Sequence, residues 1–247
     1  MPRTRLHAYP LEMARSRYDE AADFYVDGWP DAYDDPASQS LLSVLGSVDG
    51  LHVLDVACGH GRYTREILRR GAQHGVGLDL SPELIRRAES IEDGQPLGAR
   101  YLCTDLAAAE GIADGSFDRV LCGFGLSDID DLDGAVGHVA RVLVPDGRFV
   151  FSILHPCFPG SDGVSASWPP GGSYHDEQFW FADSAASTLR HQVGANHRTL
   201  STYVNTLIDH GFVVSRIEEP EPTGDWAASQ PAAATLPVYL VIGCRKR

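Results

Sequence analysis

The sequence predicts an α/β fold built on a mostly parallel β-sheet. Between residues 51 and 154, short apolar runs alternate with amphipathic stretches, which is the pattern of strands joined by helical crossovers. A glycine turn directly follows the first of these runs, and the last two apolar runs of the chain have no helical pattern between them. We therefore expect seven strands with helices on both faces of the sheet, and the last strand should run antiparallel.

The composition of the 247-residue chain excludes several classes of protein. Its 43% hydrophobic and 22% charged residues are ordinary for a globular fold, and it has no run of eighteen apolar residues that would span a membrane. The net charge of −14 disfavours nucleic acid as a partner. The five cysteines lack CxxC spacing, which argues against a disulfide framework and favours a cytoplasmic location.

Five strands are predicted in the central region from short apolar runs bounded by turn residues. The helix between the first two strands covers Tyr63–Arg70, and Gly71 is placed to end it. Ser81 is a suitable N-cap for the next helix, with Pro82 at its first position. The strands are His52–Val56, Val76–Leu80, Arg100–Cys103, Phe117–Gly123 and Phe149–Leu154.

The pattern changes after the fourth strand. Ala135–Leu143 has helical spacing, and Pro145–Gly147 predicts a turn before the fifth strand. Leu200–His210 carries its apolar residues on one helical stripe. Phe212–Ile217 and Val238–Cys244 follow as two strands that should pair as a long antiparallel hairpin.

The loop after the first strand carries the clearest chemical signal. Gly59 and Gly61 let the backbone bend sharply and let a ligand approach it, and the following helix start favours an anionic group. The third small residue of the GxGxxG dinucleotide motif is missing, and no Gly-Lys-Ser/Thr follows as in a P-loop. A tight turn without a ligand is the alternative interpretation of the two glycines.

Two aspartates follow the next two strands. Asp79 lies 20 residues after Gly59, where a carboxylate accepts hydrogen bonds from the hydroxyls of a ribose. Asp105 follows the third strand, where a carboxylate can bind the amino group of an adenine. The alternatives are an exposed residue near a helix start for Asp79 and a turn or cap residue for Asp105.

Four motifs in order resemble those of class I S-adenosylmethionine-dependent methyltransferases. Asp55–Gly61 resembles the acidic-x-Gly-x-Gly-x-Gly motif, with Ala57 in place of its first glycine. Gly77–Pro82 resembles the ribose-binding motif, Thr104–Leu106 the adenine-binding motif, and Phe117–Phe124 the fourth-strand motif that lines the methyl-donor pocket. The resemblance extends from about Tyr18 to the C-terminus.

The resemblance implies a fold, a cofactor and a set of contacts. The fold would be a seven-stranded Rossmann-like sheet of order 3-2-1-4-5-7-6 in one domain, and the cofactor would be S-adenosylmethionine with no metal. Residues 1–50 would cover the cofactor, 51–154 would bind it, 155–196 would form a lid, and 197–247 would supply the last helix and hairpin. The cofactor contacts would be Tyr18, Asp55, Ala57, Gly59, Gly61, Asp79, Leu80, Asp105, Leu106, Cys122 and Phe124.

The insertion after the fifth strand is rich in aromatic residues. Six of them lie between Phe158 and Phe181, which suggests a lid over an apolar or aromatic small molecule, with Phe158 and Tyr174 as candidate contacts. The alternative is a satellite core under a long loop. The stretches 155–158 and 197–203 resemble patterns in a subgroup of bacterial small-molecule methyltransferases.

Three polar residues are candidates on the acceptor side. His155 leaves the fifth strand at the site edge and is the candidate general base; the alternative is a histidine that anchors the lid to backbone. His197 either contacts the acceptor or precedes and caps its helix. Arg198 either binds an acidic group of the acceptor or pairs with a carboxylate on the surface.

The expected activity is in-line methyl transfer to a small molecule, with the nucleophile held about 3 Å from the methyl carbon. We expect a monomer or homodimer with no nucleic-acid or membrane partner. A methyltransferase-like protein that binds the nucleoside without transferring methyl is the alternative, and a nucleotide-binding Rossmann protein is a more distant one.

Overall fold

The computed structural model describes residues 11–28, 33–108, 111–160, 166–169, 171–182, 189–221 and 235–247, so parts of the expected covering segment and lid lie outside the described residues. The strands are β1 (His52–Val56), β2 (His74–Asp79), β3 (Arg100–Cys103), β4 (Phe117–Gly123), β5 (Leu143–Leu154), β6 (Gln178–Trp180), β7 (Ala195–His197), β8 (Phe212–Glu218) and β9 (Tyr239–Lys246). The helices are α1 (Leu11–Gly28), α2 (Pro36–Leu45), α3 (Arg62–Arg69), α4 (Pro82–Gly94), α5 (Leu132–Val142), α6 (Leu189–Val193) and α7 (Leu200–Asp209).

Seven of these strands form one sheet in the order β3-β2-β1-β4-β5-β9-β8. The first five strands of the chain pair in parallel, and β9 runs antiparallel between β5 and β8. Because β6 and β7 lie in a separate sheet, β8 and β9 are the sixth and seventh strands of this one. The observed order therefore confirms the expected order 3-2-1-4-5-7-6, and the last strand is antiparallel as expected. The carboxyl ends of the parallel strands meet at one edge, which is where ligands bind in sheets of this kind.

Alternating side chains of the central strands build an apolar core on each face of the sheet. Leu54 and Val56 of β1 belong to the cluster covered by α5 and α7, whereas Val53 belongs to the cluster covered by α2 and α3. All three are fully buried. The near-continuous apolar run of β1 is therefore explained by burial on both faces.

The helix after β2 begins as its sequence predicts. Ser81 is the N-cap, and its side chain accepts a hydrogen bond from the Leu84 backbone N–H at 3.2 Å. Pro82 occupies the first turn. This cap fixes the start of α4 directly behind Asp79, at the edge of the sheet where the candidate site lies.

The expected start of the fifth strand is wrong. The turn predicted at 145–147 lies inside β5, because Asp146 adopts a positive φ of 62° and the pairing with β4 shifts register there. Leu143 already pairs with Phe117 on β4. The residues at 145–147 are equally typical of a turn before a strand and of an irregularity within a strand, so the sequence alone does not distinguish the two.

The structure also contains elements that the sequence pattern did not resolve. The covering segment holds α1 and α2, and α2 begins with an Asp35 N-cap followed by Pro36. The lid region holds α6 and a small antiparallel pair of β6 with β7. No helix in the described ranges is both long and apolar enough to cross a membrane.

Replacement of Leu121 by Ala should destabilise the fold by about 2–5 kcal/mol, because this β4 side chain is fully buried in the core beneath α2 and α3. Ile217→Ala on the edge strand β8, where the side chain is 48% exposed, should have a much smaller effect. Urea unfolding measures the difference, provided that the unfolding free energy depends on urea concentration with the same slope in both variants. Equal losses in the two variants would contradict the placement of the core.

Candidate functional site

Three residues of the loop after β1 adopt left-handed backbone conformations. Ala57, Gly59 and Gly61 have φ values of 54°, 57° and 85°. A Cβ at Gly61 would lie 2.3 Å from Tyr101 Oη, so this position also requires glycine for space. Gly61 is the N-cap of α3 and has no side chain to bind the first N–H groups of the helix.

Asp79 ties the end of β2 to this loop. Its Oδ2 accepts a hydrogen bond from the Gly59 N–H at 2.8 Å, and its Oδ1 accepts one from the Ser81 N–H at 2.9 Å. Burial raises the pKa of Asp79 to about 6, although the backbone hydrogen bonds oppose the shift. The carboxylate therefore faces the glycine loop, as the ribose-binding prediction requires.

Asp55 lies beneath the same loop at the end of β1. Its Oδ2 accepts a hydrogen bond from Thr64 Oγ1 at 2.7 Å, whereas its buried Oδ1 has no hydrogen-bond partner among the described residues. Burial raises the pKa of Asp55 to about 7. Asp55 and Asp79 thus form a cradle of two carboxyl groups at the glycine loop, of which only Asp79 is partly exposed.

The predicted adenine side lies at the ends of β2 and β3. The Thr104 N–H donates to the Asp79 carbonyl at 2.9 Å, which places Leu80 and Asp105 side by side after neighbouring strands. Asp105 Oδ1 accepts a hydrogen bond from the Ala107 N–H at 2.9 Å, which is the turn role given above as its alternative. Leu106 is buried in the core.

The turn after β4 abuts the glycine loop. A Cβ at Gly125 would lie 2.3 Å from the Cβ of Ala57, so the two loops are in direct contact. Phe124 adopts a φ of 63°, and its ring packs edge-on against Tyr239 with centroids 5.8 Å apart. Cys122 is fully buried and its sulfur lies beside Gly125 at this contact, and burial raises its pKa.

Helix α1 lies over the glycine loop. The Tyr18 hydroxyl donates to Asp128 Oδ2 at 2.9 Å, and the Tyr18 ring packs edge-on against Tyr25 at 5.6 Å. A Cβ at Gly59 would lie 2.9 Å from the Tyr25 ring. The predicted contact Tyr18 thus lies near the glycine loop, and Tyr25 lies over the loop with it.

Two further residues were missed by the sequence prediction. Arg190 of α6 forms an ion pair with Asp128 in the turn after β4, and it donates to Ser127 Oγ at 3.2 Å. It also donates to the Gly194 carbonyl at 3.0 Å. The polar run directly after β4 was the only feature of the sequence that pointed to Asp128. No spacing rule relates Asp128 to Arg190, which lies 62 positions further along the chain.

His155 has the geometry of the lid-anchor alternative and not that of a general base. Its Nδ1 accepts the Cys157 N–H at 3.1 Å, which leaves the proton of the neutral ring on Nε2. Nε2 lies 2.9 Å from Glu219 Oε1, at ion-pair distance. The His155 carbonyl accepts a hydrogen bond from Ser167 Oγ at 2.7 Å. Burial lowers the pKa of His155, and both ring nitrogens face protein groups.

The aromatic residues of the lid pack mainly on protein. Phe158 is fully buried against Val238, so the satellite-core alternative describes it better than an acceptor contact. The Tyr174 hydroxyl accepts the Leu200 N–H at 2.8 Å, and the Tyr174 carbonyl accepts a hydrogen bond from His197 Nε2 at 2.8 Å. Tyr174 thereby fixes β7 and the start of α7.

A shallow recess that is partly open to solvent lies between the turn after β4, the lid and α7. Of the four predicted acceptor contacts, His197 and Arg198 line this recess, whereas Phe158 and Tyr174 do not. Its walls are more polar than the composition of the lid suggested. Other wall residues are Ser127, Leu154, Pro156, Ser167, Arg190, Asn196 and Tyr203.

Comparison with known proteins identifies a methyltransferase domain over residues 54–151. A ubiquinone biosynthesis O-methyltransferase from Xanthomonas euvesicatoria pv. vesicatoria (strain 85-10) is 31% identical over 163 residues, which cover 63% of this chain and 67% of that protein. The crystal structure of an S-adenosylmethionine-dependent methyltransferase from Mesorhizobium loti has a TM-score of 0.69 and 27% identity, covering 85% of this chain and 98% of that one.

A third relative shares the fold alone. The Burkholderia thailandensis 1,6-didemethyltoxoflavin-N1-methyltransferase, solved with 1,6-didemethyltoxoflavin and S-adenosylhomocysteine, has a TM-score of 0.64 and 21% identity. The alignment covers 99% of this chain and 93% of that one. With the strand order, the glycine loop and the Asp79 contact, these similarities show that the chain belongs to the class I S-adenosylmethionine-dependent methyltransferases and uses S-adenosylmethionine as its cofactor.

Proposed function

We propose that this methyltransferase methylates a small molecule held in the recess between the turn after β4, the lid and α7. The observation that carries the proposal is the position of Asp128. One of its carboxylate oxygens binds Tyr18, which belongs to the helix over the glycine loop, and the other binds Arg190, which lines the recess. The cofactor side and the recess therefore share one wall.

The residues of the cradle bind and orient the cofactor. Asp79 would accept hydrogen bonds from the ribose hydroxyls, and the backbone at Gly59 and Gly61 allows close approach. Tyr18 and Tyr25 cover the loop and exclude water from it. When bound, S-adenosylmethionine supplies an electrophilic methyl group on a sulfonium sulfur.

The charges around the loop favour a cationic ligand over a neutral one. Asp55 is buried and Asp79 is half-buried, both have raised pKa values, and the charge of Asp128 adds to the shift at Asp79. A positive charge placed among them offsets the free energy of keeping them ionised in a low-dielectric environment. The protein thus contributes positioning, charge complementarity and water exclusion to an in-line displacement.

The proposed acceptor is small and combines an apolar ring face with polar substituents. Leu154, Pro156 and Tyr203 offer apolar surface in the recess, and Arg190 and Asn196 offer polar groups. The aromatic cluster that suggested an apolar acceptor is largely used to hold the lid. The net charge of −14 supports a small molecule rather than a nucleic acid, and we propose a cytoplasmic monomer or homodimer.

Substitution of Asp79 by Asn should weaken the binding of S-adenosylhomocysteine about 10- to 100-fold, because hydrogen bonds to a charged acceptor are lost. Isothermal titration calorimetry on folded protein measures the change. The exposed Asp114→Asn variant is the matched control and should bind normally. Unchanged affinity in folded Asp79→Asn protein would remove the ribose assignment.

The affinity for S-adenosylhomocysteine should be constant at alkaline pH and fall as the pH drops through about 6. The reason is that Asp79, with its pKa raised to about 6, becomes protonated, loses its charge and accepts hydrogen bonds more weakly. Asp55 titrates nearby, at about 7, so the comparison with Asp79→Asn isolates the contribution of Asp79. A pH profile that is identical in both proteins would contradict the prediction.

Replacement of His155 by Ala should loosen the lid and lower the melting temperature while the affinity for S-adenosylhomocysteine stays the same, because an acceptor for the Cys157 N–H is lost. The His155→Asn variant, which keeps a side-chain acceptor, should recover part of the stability. Thermal unfolding and limited proteolysis measure both effects. If methyl transfer were lost in both variants at unchanged stability, His155 would be the base after all.

Methyl transfer itself is tested with radiolabelled donor and a panel of small acceptors. Transfer to a panel member supports the proposed function. Tight binding of the donor with no transfer to any member would favour the alternative, a protein that binds the nucleoside without transferring methyl.

A further inference from the structure

Arg198 is a buried cation held only by neutral groups. Its side chain is at the start of α7 and only 9% of the residue is exposed. The guanidinium donates to the carbonyls of Leu126 at 3.0 Å, Ile129 at 2.6 Å and Asp130 at 2.9 Å. These carbonyls supply no negative charge, and the guanidinium is also hydrogen-bonded to the neutral Tyr203 phenol.

The neighbouring carboxylates are bound to other partners. Asp128 is paired with Arg190, and Asp130 is paired with Arg17 at 3.1 Å. Within the described ranges, no carboxylate lies at ion-pair distance from Arg198. A buried charge without a counter-ion is unfavourable, so a charged partner supplied from outside would stabilise this arrangement.

A third carboxylate near the start of α7 is also engaged. Glu177 Oε1 accepts hydrogen bonds from the Thr199 N–H at 2.8 Å, from Thr199 Oγ1 at 2.7 Å and from Thr202 Oγ1 at 2.5 Å. This carboxylate therefore caps the helix rather than pairing with Arg198.

Arg198 borders the recess, and so does Tyr203. Burial raises the pKa of Tyr203, so its phenol stays protonated at neutral pH and remains a hydrogen-bond donor. The other arginine of the recess, Arg190, is neutralised by Asp128. The recess thus offers one uncompensated guanidinium beside a neutral phenol donor, which is a suitable surrounding for a carboxylate.

We propose that the acceptor is a small organic acid whose carboxylate binds Arg198 in this recess. The inference rests on the proposed methyl transfer and specifies its substrate class. The acid group would orient the acceptor at the wall shared with Asp128, so that a hydroxyl or amino group on the same ring faces the cofactor side. A neutral analogue would leave the guanidinium without a counter-ion and should bind about 10- to 100-fold more weakly.

The test compares acids with their amides on the full-length protein saturated with S-adenosylhomocysteine. The probes are salicylate, meta-hydroxybenzoate and anthranilate, each against its carboxamide, which has the same ring and nucleophile but no charge. Isothermal titration calorimetry should show at least one acid that binds ten or more times tighter than its amide. With radiolabelled donor in place of S-adenosylhomocysteine, that acid should also be methylated faster.

Three results would overturn the proposal while methyl transfer as such remains possible: equal binding of acid and amide, preference for the amide, or no binding of any acid to protein that does bind S-adenosylhomocysteine. Failure to bind S-adenosylhomocysteine itself is a different outcome, since it would remove the proposed function and with it this inference.

A charge-removing variant checks the residue assignment. Arg198→Gln should bring the acid-to-amide ratio close to one, whereas Arg198→Lys should retain a preference for the acid. Arg216→Gln, at a side chain 65% exposed on β8, is the control and should leave the ratio unchanged. An unaltered ratio in folded Arg198→Gln protein would overturn the assignment. If that variant does not fold, the acid-to-amide comparison on the wild-type protein still decides the proposal.

Discussion

The hydrogen bond between the Gly59 amide and the Asp79 carboxylate is the contact on which the site depends. It joins the loop after β1 to the end of β2, and the Cys58 N–H reinforces it with a 3.0 Å bond to the Leu78 carbonyl. The loop reaches this position only because Gly59 and Gly61 take positive φ values that other residues adopt with strain. Parallel pairing of β1 with β2 sets the register, so the carboxylate faces the loop as a consequence of the sheet.

The same arrangement lowers the stability of the folded state when its carboxyl groups ionise. Asp55 and Asp79 have pKa values of about 7 and about 6 in the folded chain, above those of an unfolded chain. A raised pKa contributes stability that is complete below the unfolded pKa and is lost as the pH rises through the folded value. Between about pH 4 and pH 7, therefore, ionisation of the two groups opposes folding. A cation bound nearby would oppose this effect, because it stabilises the charged forms of the carboxyl groups.

The fold was predictable from the sequence because its signals are local. Each buried strand is an apolar run, and the Ser81–Pro82 cap and the glycine loop follow directly from neighbouring residues. The start of β5 was misplaced because Asp146, at a positive φ, interrupts a strand with the residues of a turn. Helix α1 was not recognised because it is mostly polar and is held by contacts with α4 and α6 that only the folded chain provides.

Sequence motifs predicted only the cofactor side of the site. Gly59, Gly61 and Asp79 are near in sequence and lie together in space. Asp128 and Arg190 come from distant parts of the chain, and no periodicity relates them. The prediction of His155 as a base rested on its residue type at a strand end. The hydrogen bond that its Nδ1 accepts from the Cys157 N–H matches the lid-anchor alternative, and no sequence pattern predicts this contact.

The turn after β4 is the place where the separate parts of the molecule meet, and polar contacts hold it there. Arg17 of α1, Arg190 of α6 and Arg198 before α7 all bind groups between residues 126 and 130. Asp130 and Asp128 of the same turn neutralise Arg17 and Arg190, so Arg198 is the arginine of this group without a carboxylate partner among the described residues. If the acceptor is the organic acid proposed above, Asp128 stands in the wall between two ligands of opposite charge: through Tyr18 it contacts the helix over the glycine loop, and through Arg190 it contacts the recess that Arg198 also lines.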